Sequence, residues 1–511
     1  MYIRAHSCAL HGIEAIPIEV ELDVGPGQPG LTLVGLPDLA IRESRERVRS
    51  ALVNSGYSYP KRRMTMNLAP ADVPKEGSAL DLSIALAMLA ASGIVPQQTI
   101  DQTILMGELA LDGTLRPFRG ALPAALMARD QGYRYMLVPQ TNATEAAIVE
   151  GITVFGIQSL AQAVEILNQP ESAQPHLVDR EKLFQERSLI EADFLEVKGQ
   201  EHVKRAMEVA AAGGHNLLMM GPPGSGKTML ARRLPGILPP LRFEEALETT
   251  RIHSIHGSLP PQTPLIARRP FRTPHHSVSF AGLIGGGANP KPGEVSLGHN
   301  GVVFLDELPE FQRDVLEHLR QPLEDGIVTI SRAKTTLCYP CRFMLVAAAN
   351  PCPCGYYGDN NHTCSCSPGK IQKYIAKLSG PLLDRIDIHI DVPSVTFDEL
   401  HAPATGETSV QIRERVTDAR QRQTERMNGR DIFCNAHMTS RDLREFCPMD
   451  EATRDLLRNG LEKLGLSARA YDRVIKVSRT IADLSGSEEI RPEHVSEAIQ
   501  YRTLDRKLWL R

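Results

Sequence analysis

Apolar and polar positions along this chain change their period twice, and the changes mark its domains. Over residues 1–168 strand-like and helix-like spacings are mixed. Ile13–Leu22 alternates with period two, as a half-buried strand does. Asp38–Val53 repeats at helical spacing, with arginines at 42, 45, 47 and 49 on its polar side. Arg62–Leu68 alternates again, and Ser78–Ser92 is apolar nearly all round a helix. Thr103–Leu109, a helix over Ala121–Gln131, a strand Tyr135–Pro139 and a helix near Ala143 follow, predicting an α+β domain. Residues 169–192, rich in Gln, Glu, Ser and Pro, read as a linker. Residues 193–393 carry short apolar runs between helical and Gly-rich stretches, the pattern of an α/β core. Beyond Pro393 the spacing is helical throughout, over Val410–Arg430, Ser440–Phe446, Asp450–Leu464, Arg469–Leu484 and Arg491–Arg502, with Ser440 and Ser467 as caps. The chain therefore reads as multidomain α/β, closed by a helical lid over 394–511.

The chemistry is concentrated in the second region. Gly221-Pro222-Pro223-Gly224-Ser225-Gly226-Lys227-Thr228 fits G-x-x-x-x-G-K-[ST], between a short apolar strand (216–220) and a helix-forming stretch from Met229. That context makes the pattern a phosphate-binding loop, in which backbone N–H groups and a helix N-terminus meet phosphate oxygens. Lys227 is expected to reach the β- and γ-phosphates of ATP, and Thr228 to hold Mg²⁺. Gly301–Glu307 is a second apolar strand ending in two acids. Asp306 is expected in the Mg²⁺ shell, and Glu307 as the group that orients or deprotonates the attacking water. Asn350, closing the strand 343–350, is placed to hold that water. Val197 and Gly199, before the helix that leads into the loop, are candidate adenine contacts.

Composition adds limits. With 511 residues, two to four domains are expected. The net charge of −4 confines any nucleic-acid binding to local patches. The N-terminus has no apolar signal region and no run is long enough to span a bilayer, so a cytoplasmic protein without membrane contact is expected. Six of nine cysteines lie between Cys338 and Cys366. Cys352, Cys354, Cys364 and Cys366 suit a Zn²⁺ knuckle; Cys338 and Cys341 form a C-x-x-C that could supply ligands instead.

Several basic residues are candidates for partners. Phe280 to Pro292 combines an aromatic, glycines and Lys291, as suits a loop facing a nucleic-acid strand. His275 and His276 read as part of that loop rather than as a metal site. Gly326–Cys338 reads as a hairpin with Arg332 and Lys334 at its tip, further candidate DNA contacts. Val410–Arg430 carries six arginines against three acids and reads as an exposed, DNA-facing helix. Arg385, beside Asp384 and Asp387, is either an ion-paired residue or an arginine finger for a neighbouring subunit. Arg469, with Arg473 as alternate, is placed to reach the nucleotide from the lid.

Together, Gly221–Thr228, Leu305-Asp306-Glu307, Asn350, Gly380–Asp387 and Ser467-Ala468-Arg469-Ala470-Tyr471 resemble the AAA+ ATPases of the Mg-chelatase and MCM branch. Pro74–Ser78, Gly107-Glu108-Leu109, Gly113, Leu137–Pro139 and Asn142 resemble the proteolytic domain of Lon. The Lon serine position holds Ala79, with Ser78 one place early, and Gly120–Leu126 has no lysine, so a protease-inactive domain is expected. With the Asn350-Pro-Cys-Pro-Cys-Gly355 run, the chain resembles the ComM/YifB family over nearly its full length. The resemblance implies a hexameric ring that moves on single-stranded or branched DNA, promoting branch migration in recombination during natural transformation. A chelatase subunit and an ATP-dependent protease are the competing readings; the extra N-terminal domain and cysteines weigh against the first, the missing lysine against the second.

Overall fold

A computed structural model describes residues 1–75, 77–186, 192–260, 263–287, 290–331, 336–359, 362–401, 406–430, 432–464 and 468–504. The chain divides into two compact units.

The first unit is built on a seven-stranded mixed sheet. Its strands are β1 (Tyr2–His11), β2 (Glu14–Gly25), β3 (Gly30–Val34), β4 (Arg63–Ala69), β5 (Thr103–Leu105), β6 (Tyr135–Pro139) and β7 (Thr153–Ile157), in the order β3-β4-β2-β1-β5-β6-β7. β1 and β2 form an antiparallel hairpin from Tyr2–Asp23 to His11–Glu14, whereas β5, β6 and β7 run parallel. Helix Asp81–Ala91 is buried along almost its whole length. Its one carboxylate, Asp81, is compensated: Arg47 Nε donates to it at 2.9 Å, and Ser44 Oγ and Leu109 N–H add hydrogen bonds. A buried charge persists only with such partners. Helix Phe243–His256, far along the chain, belongs to this unit, and its Ser254 donates to the buried Glu145.

The second unit holds a five-stranded sheet, parallel throughout. Its strands are β8 (Leu217–Met220), β9 (Phe271–Arg272), β10 (Val302–Leu305), β11 (Met344–Ala349) and β12 (Ile388–Asp391), in the order β9-β10-β11-β8-β12. The three inner strands, β10, β11 and β8, are apolar along their length, as strands covered on both faces must be. Helices Glu201–Gly213 and Lys227–Ile237 share one apolar core with the sheet and with lid helices Ser409–Arg426 and Ala468–Leu484.

The arginine-rich lid helix corrects one expectation. Arg415 pairs with Glu208 and Glu407, Arg420 donates to Ala211 O and Ala212 O, Arg422 to Asp483 O, Arg426 to Asp483, and Arg430 to Asp442 and Glu445. Five of the six arginines clamp protein rather than face DNA, because their long side chains reach back across the helix surface. The cap of the next helix is also one residue early: Thr439, in a capping box with Asp442, and not Ser440. Ser467 lies outside the described residues.

Candidate active site

β8 ends at Met220 and the chain turns directly into the phosphate loop. Gly221 N–H donates to Ala349 O at 3.2 Å, and a Cβ on Gly221 would stand 2.1 Å from Val392 O, so only glycine fits. Gly224 and Gly226 have φ of +79° and +87°, which glycine adopts without steric cost. Gly226 opens helix Lys227–Ile237, bringing the positive end of a helix dipole to the loop.

Lys227 is buried. Its Nζ donates to Gly221 O and Pro222 O, each at 2.8 Å, and to Asn350 Oδ1 at 3.2 Å. Burial pushes its pKa down, with Asp306 opposing. An ammonium held by neutral acceptors in a dry site is short of negative charge, and phosphate oxygens supply it. The Oδ1 of Asn350, the residue placed to hold the attacking water, accepts from this lysine.

Thr228 Oγ1 donates to Asp306 Oδ2 at 2.6 Å. A hydroxyl and a carboxylate in contact are a hard-oxygen pair suited to Mg²⁺, which keeps most of its remaining ligands as water and phosphate oxygens. Magnesium held there would neutralise charge on the β- and γ-phosphates. Glu307 follows with φ +53°, a left-handed conformation that costs a non-glycine residue about 1–2 kcal/mol. Its N–H donates to Asp306 Oδ1 at 3.0 Å, its side chain is half exposed, and Oε2 lies 3.5 Å from His276 Nδ1. The acid is thus turned away from Asp306 toward the loop that begins at Thr273.

Two loop supports were not foreseen. Gln200, in the left-handed region, donates from Nε2 to Ser225 O at 3.0 Å and Pro393 O at 2.7 Å, tying the phosphate loop to the strand end beyond β12. Gly355 packs on Pro223, where a Cβ would come within 2.5 Å of Cδ. Gln200 belongs to no spacing pattern that sequence could flag, and Gly355, though it ends the Asn350–Gly355 run, shows its contact with Pro223 only in the fold. Val197 is packed in the core, and a Cβ on Gly199 would meet Glu399 Oε1 at 2.9 Å.

The four knuckle cysteines converge. Their sulfurs all lie within 4.8 Å of one another, with Cys352–Cys354 at 3.3 Å, Cys352–Cys364 at 3.7 Å and Cys354–Cys364 at 3.6 Å. Tetrahedral Zn–S bonds of about 2.3 Å set sulfurs about 3.8 Å apart, close to these separations. N–H groups of Tyr356 and Ser365 hold the Cys354 thiol down to about 5. Cys341 is elsewhere, with its buried thiol pushed up to about 12 by burial.

The remaining candidates divide. Arg385 is buried, meets Glu324 Oε1 at 2.5 Å, and donates to Pro381 O at 2.7 Å. It lines a cavity of about 440 Å³ with Arg342, Asp387, Arg473 and Lys476. Arg473 is 2.5 Å from Asp387, whose carboxyl burial alone would raise, but which Arg473 and His215 pull well below the usual range. Lys291 is exposed on a short strand opposite Gly285–Gly286. Arg332 and Lys334 lie outside the described residues, as does the side chain of Arg469, which stands at the start of helix Ala468–Leu484. In the first unit Ser78 donates to Glu108, a carboxylate, and Lys75 donates to Pro70 O.

A parallel sheet with a phosphate loop after β8, an acid pair after β10 and a polar residue after the intervening β11 defines a P-loop ATPase of the AAA+ type. Three family models match the chain: magnesium chelatase, subunit ChlI, over residues 193–400; subunit ChlI of Mg-chelatase, over 20–142; and magnesium chelatase, subunit ChlI C-terminal, over 406–502. The competence protein ComM of Haemophilus influenzae is 45% identical over 512 residues, covering 98% of each chain. The uncharacterized protein YifB of Escherichia coli K12 is 45% identical over 505 residues, covering 98% of this chain and 97% of its own. The chain belongs to the ComM/YifB family of magnesium-chelatase-like proteins. Lon protease 2 of Bacillus subtilis is a weaker match, 24% identical over 119 residues, 22% of this chain and 21% of its own. Among the described residues no helix is long and apolar enough to cross a membrane.

Proposed function

We propose that this ATPase is a DNA motor: a homo-oligomeric, hexameric ring in the cytoplasm that couples ATP hydrolysis to movement on single-stranded or branched DNA, with branch migration during natural transformation as its task. The observation that carries the reading is the contact between catalytic acid and loop. Glu307 faces His276, and the loop that continues from His276 presents exposed Phe280 and Lys291. Bases stack on exposed aromatics and phosphates meet lysines, so a strand held there is felt at Glu307. The 45% identity to a competence protein points the same way. Arg332 and Lys334 are proposed as further DNA contacts, Arg385 as the finger that would exchange Glu324 for a neighbour's γ-phosphate, and Arg469 as the lid's nucleotide contact. Residues 1–168 are proposed as an assembly or substrate-contact domain without peptidase activity.

ATP hydrolysis by the purified protein, measured with no DNA, single strands, duplex and a four-way junction, is expected to rise severalfold with single strands or junctions. A flat response across all four would sink the motor and favour the remodelling role that the chelatase family descriptions suggest.

We further infer that Cys352, Cys354, Cys364 and Cys366 hold one Zn²⁺. Metal analysis is expected to find about one zinc per chain, lost in Cys364→Ser, since structural sites need all four ligands. Equal zinc in both proteins would remove the assignment.

A further inference from the structure

We infer that a basic groove beside the catalytic acids, lined by Arg313, Lys373 and Lys377, binds the phosphodiester backbone of a DNA strand. The inference rests on the DNA-motor reading and gives it contact residues other than Lys291, Arg332 and Lys334. The groove has a volume of about 460 Å³ and runs between the segment Pro309–Arg313 and the helix Pro368–Ile375 with the turn after it.

Its charge is one-sided. Three cations and a single acid, Glu310, line it. Glu310 is engaged by Lys377 at 3.3 Å. Among the described residues Arg313 and Lys373 have no ion-pair partner, and both are exposed. Lys370, also exposed, extends the row: Lys370 and Lys373 stand three apart on helix Pro368–Ile375, and Lys377 follows in the turn after it, its ammonium 5.5 Å from the Tyr374 ring. Unneutralised like charges held a turn apart repel one another, and that arrangement favours a polyanion over any single small anion.

Position argues for nucleic acid. Leu308–Glu310 follows Glu307 directly, so a strand in the groove touches the element that carries the catalytic acid. The Phe280 loop leans on the same segment: His276 meets the Phe311 ring edge-on at 6.4 Å, and Phe280 meets His318 at 4.6 Å. An exposed aromatic for bases thus adjoins cations for phosphates, the two parts of a single-strand site.

The test uses the full chain and a labelled poly-thymidine oligonucleotide, with binding followed by fluorescence anisotropy across a salt series. The triple variant Arg313→Ala/Lys373→Ala/Lys377→Ala is expected to lose roughly tenfold or more in affinity. Its slope of log affinity against log salt is expected to fall by about 2, since each phosphate contact on a single strand contributes ~0.7. Lys373→Arg/Lys377→Arg should bind like the parent, and Lys373→Glu, at one exposed position, should lose more than Lys373→Ala. A triple variant with parental affinity and slope overturns the groove while leaving the motor reading intact. A parent chain that binds no oligonucleotide overturns both. A variant that binds DNA normally but fails to self-assemble also overturns the proposal, because the cations would then serve an acidic surface of a neighbouring copy.

Discussion

Lys227→Ala is expected to abolish ATP turnover, to below about one part in a thousand of the parent rate. The lysine side chain is a buried cation that reaches the loop carbonyls of Gly221 and Pro222. A charge placed where phosphate negative charge develops is worth on the order of 10²–10³ in rate even for a single donor. It also binds the ground state, so nucleotide affinity should fall too, which fluorescent-nucleotide titration would show. Folding should survive. The substitution removes the lysine's hydrogen bonds to Gly221, Pro222, Ser225 and Asn350 but also relieves a desolvated ammonium whose pKa burial has already lowered, and these effects oppose each other. A variant with a normal melting curve and normal turnover would mean that Gly221–Thr228 is not the working phosphate loop.

Glu307→Gln separates binding from chemistry. Glutamine keeps the size and the hydrogen-bonding carbonyl but cannot accept a proton from water. The variant is expected to bind ATP like the parent and to turn it over about 10²–10⁴-fold more slowly, the range for a lost general base. Its contact with His276 would weaken, since an amide oxygen is a weaker hydrogen-bond acceptor than a carboxylate. Full turnover by this variant in a single-turnover assay would remove Glu307 from the base role and leave it a support for the loop from Thr273.

Much of this site was legible because its parts are local. The phosphate loop is eight consecutive residues, and the acid pair closes an apolar strand, so spacing alone identifies both. That Thr228 touches Asp306 follows from two such strands joining one parallel sheet. What escaped was decided by tertiary packing. β1 shows no alternation, because Ala5, His6, Ser7, Cys8 and Ala9 are all buried in the middle of a sheet covered on both faces. Gln200 bridges two loops through one side-chain amide, a role that no repeat announces. In Ser409–Arg426 the excess of arginines over acids reads as exposure, but the charge count does not reveal that these arginines bend back onto backbone carbonyls and acids.

The sheet order bears on how such a chain comes off the ribosome. β8, the strand that supports the phosphate loop, pairs with β11 on one side and β12 on the other. While residues 217–228 emerge, neither partner has been synthesised. The loop that names the protein's chemistry therefore waits, with its strand unpaired, until Ile388–Asp391 is available to flank it. Closing so long a connection carries an entropy cost that local contacts cannot offset early. Nascent chains stalled before that point should not retain nucleotide, and apolar Leu217–Met220 is a stretch for chaperones to shield meanwhile.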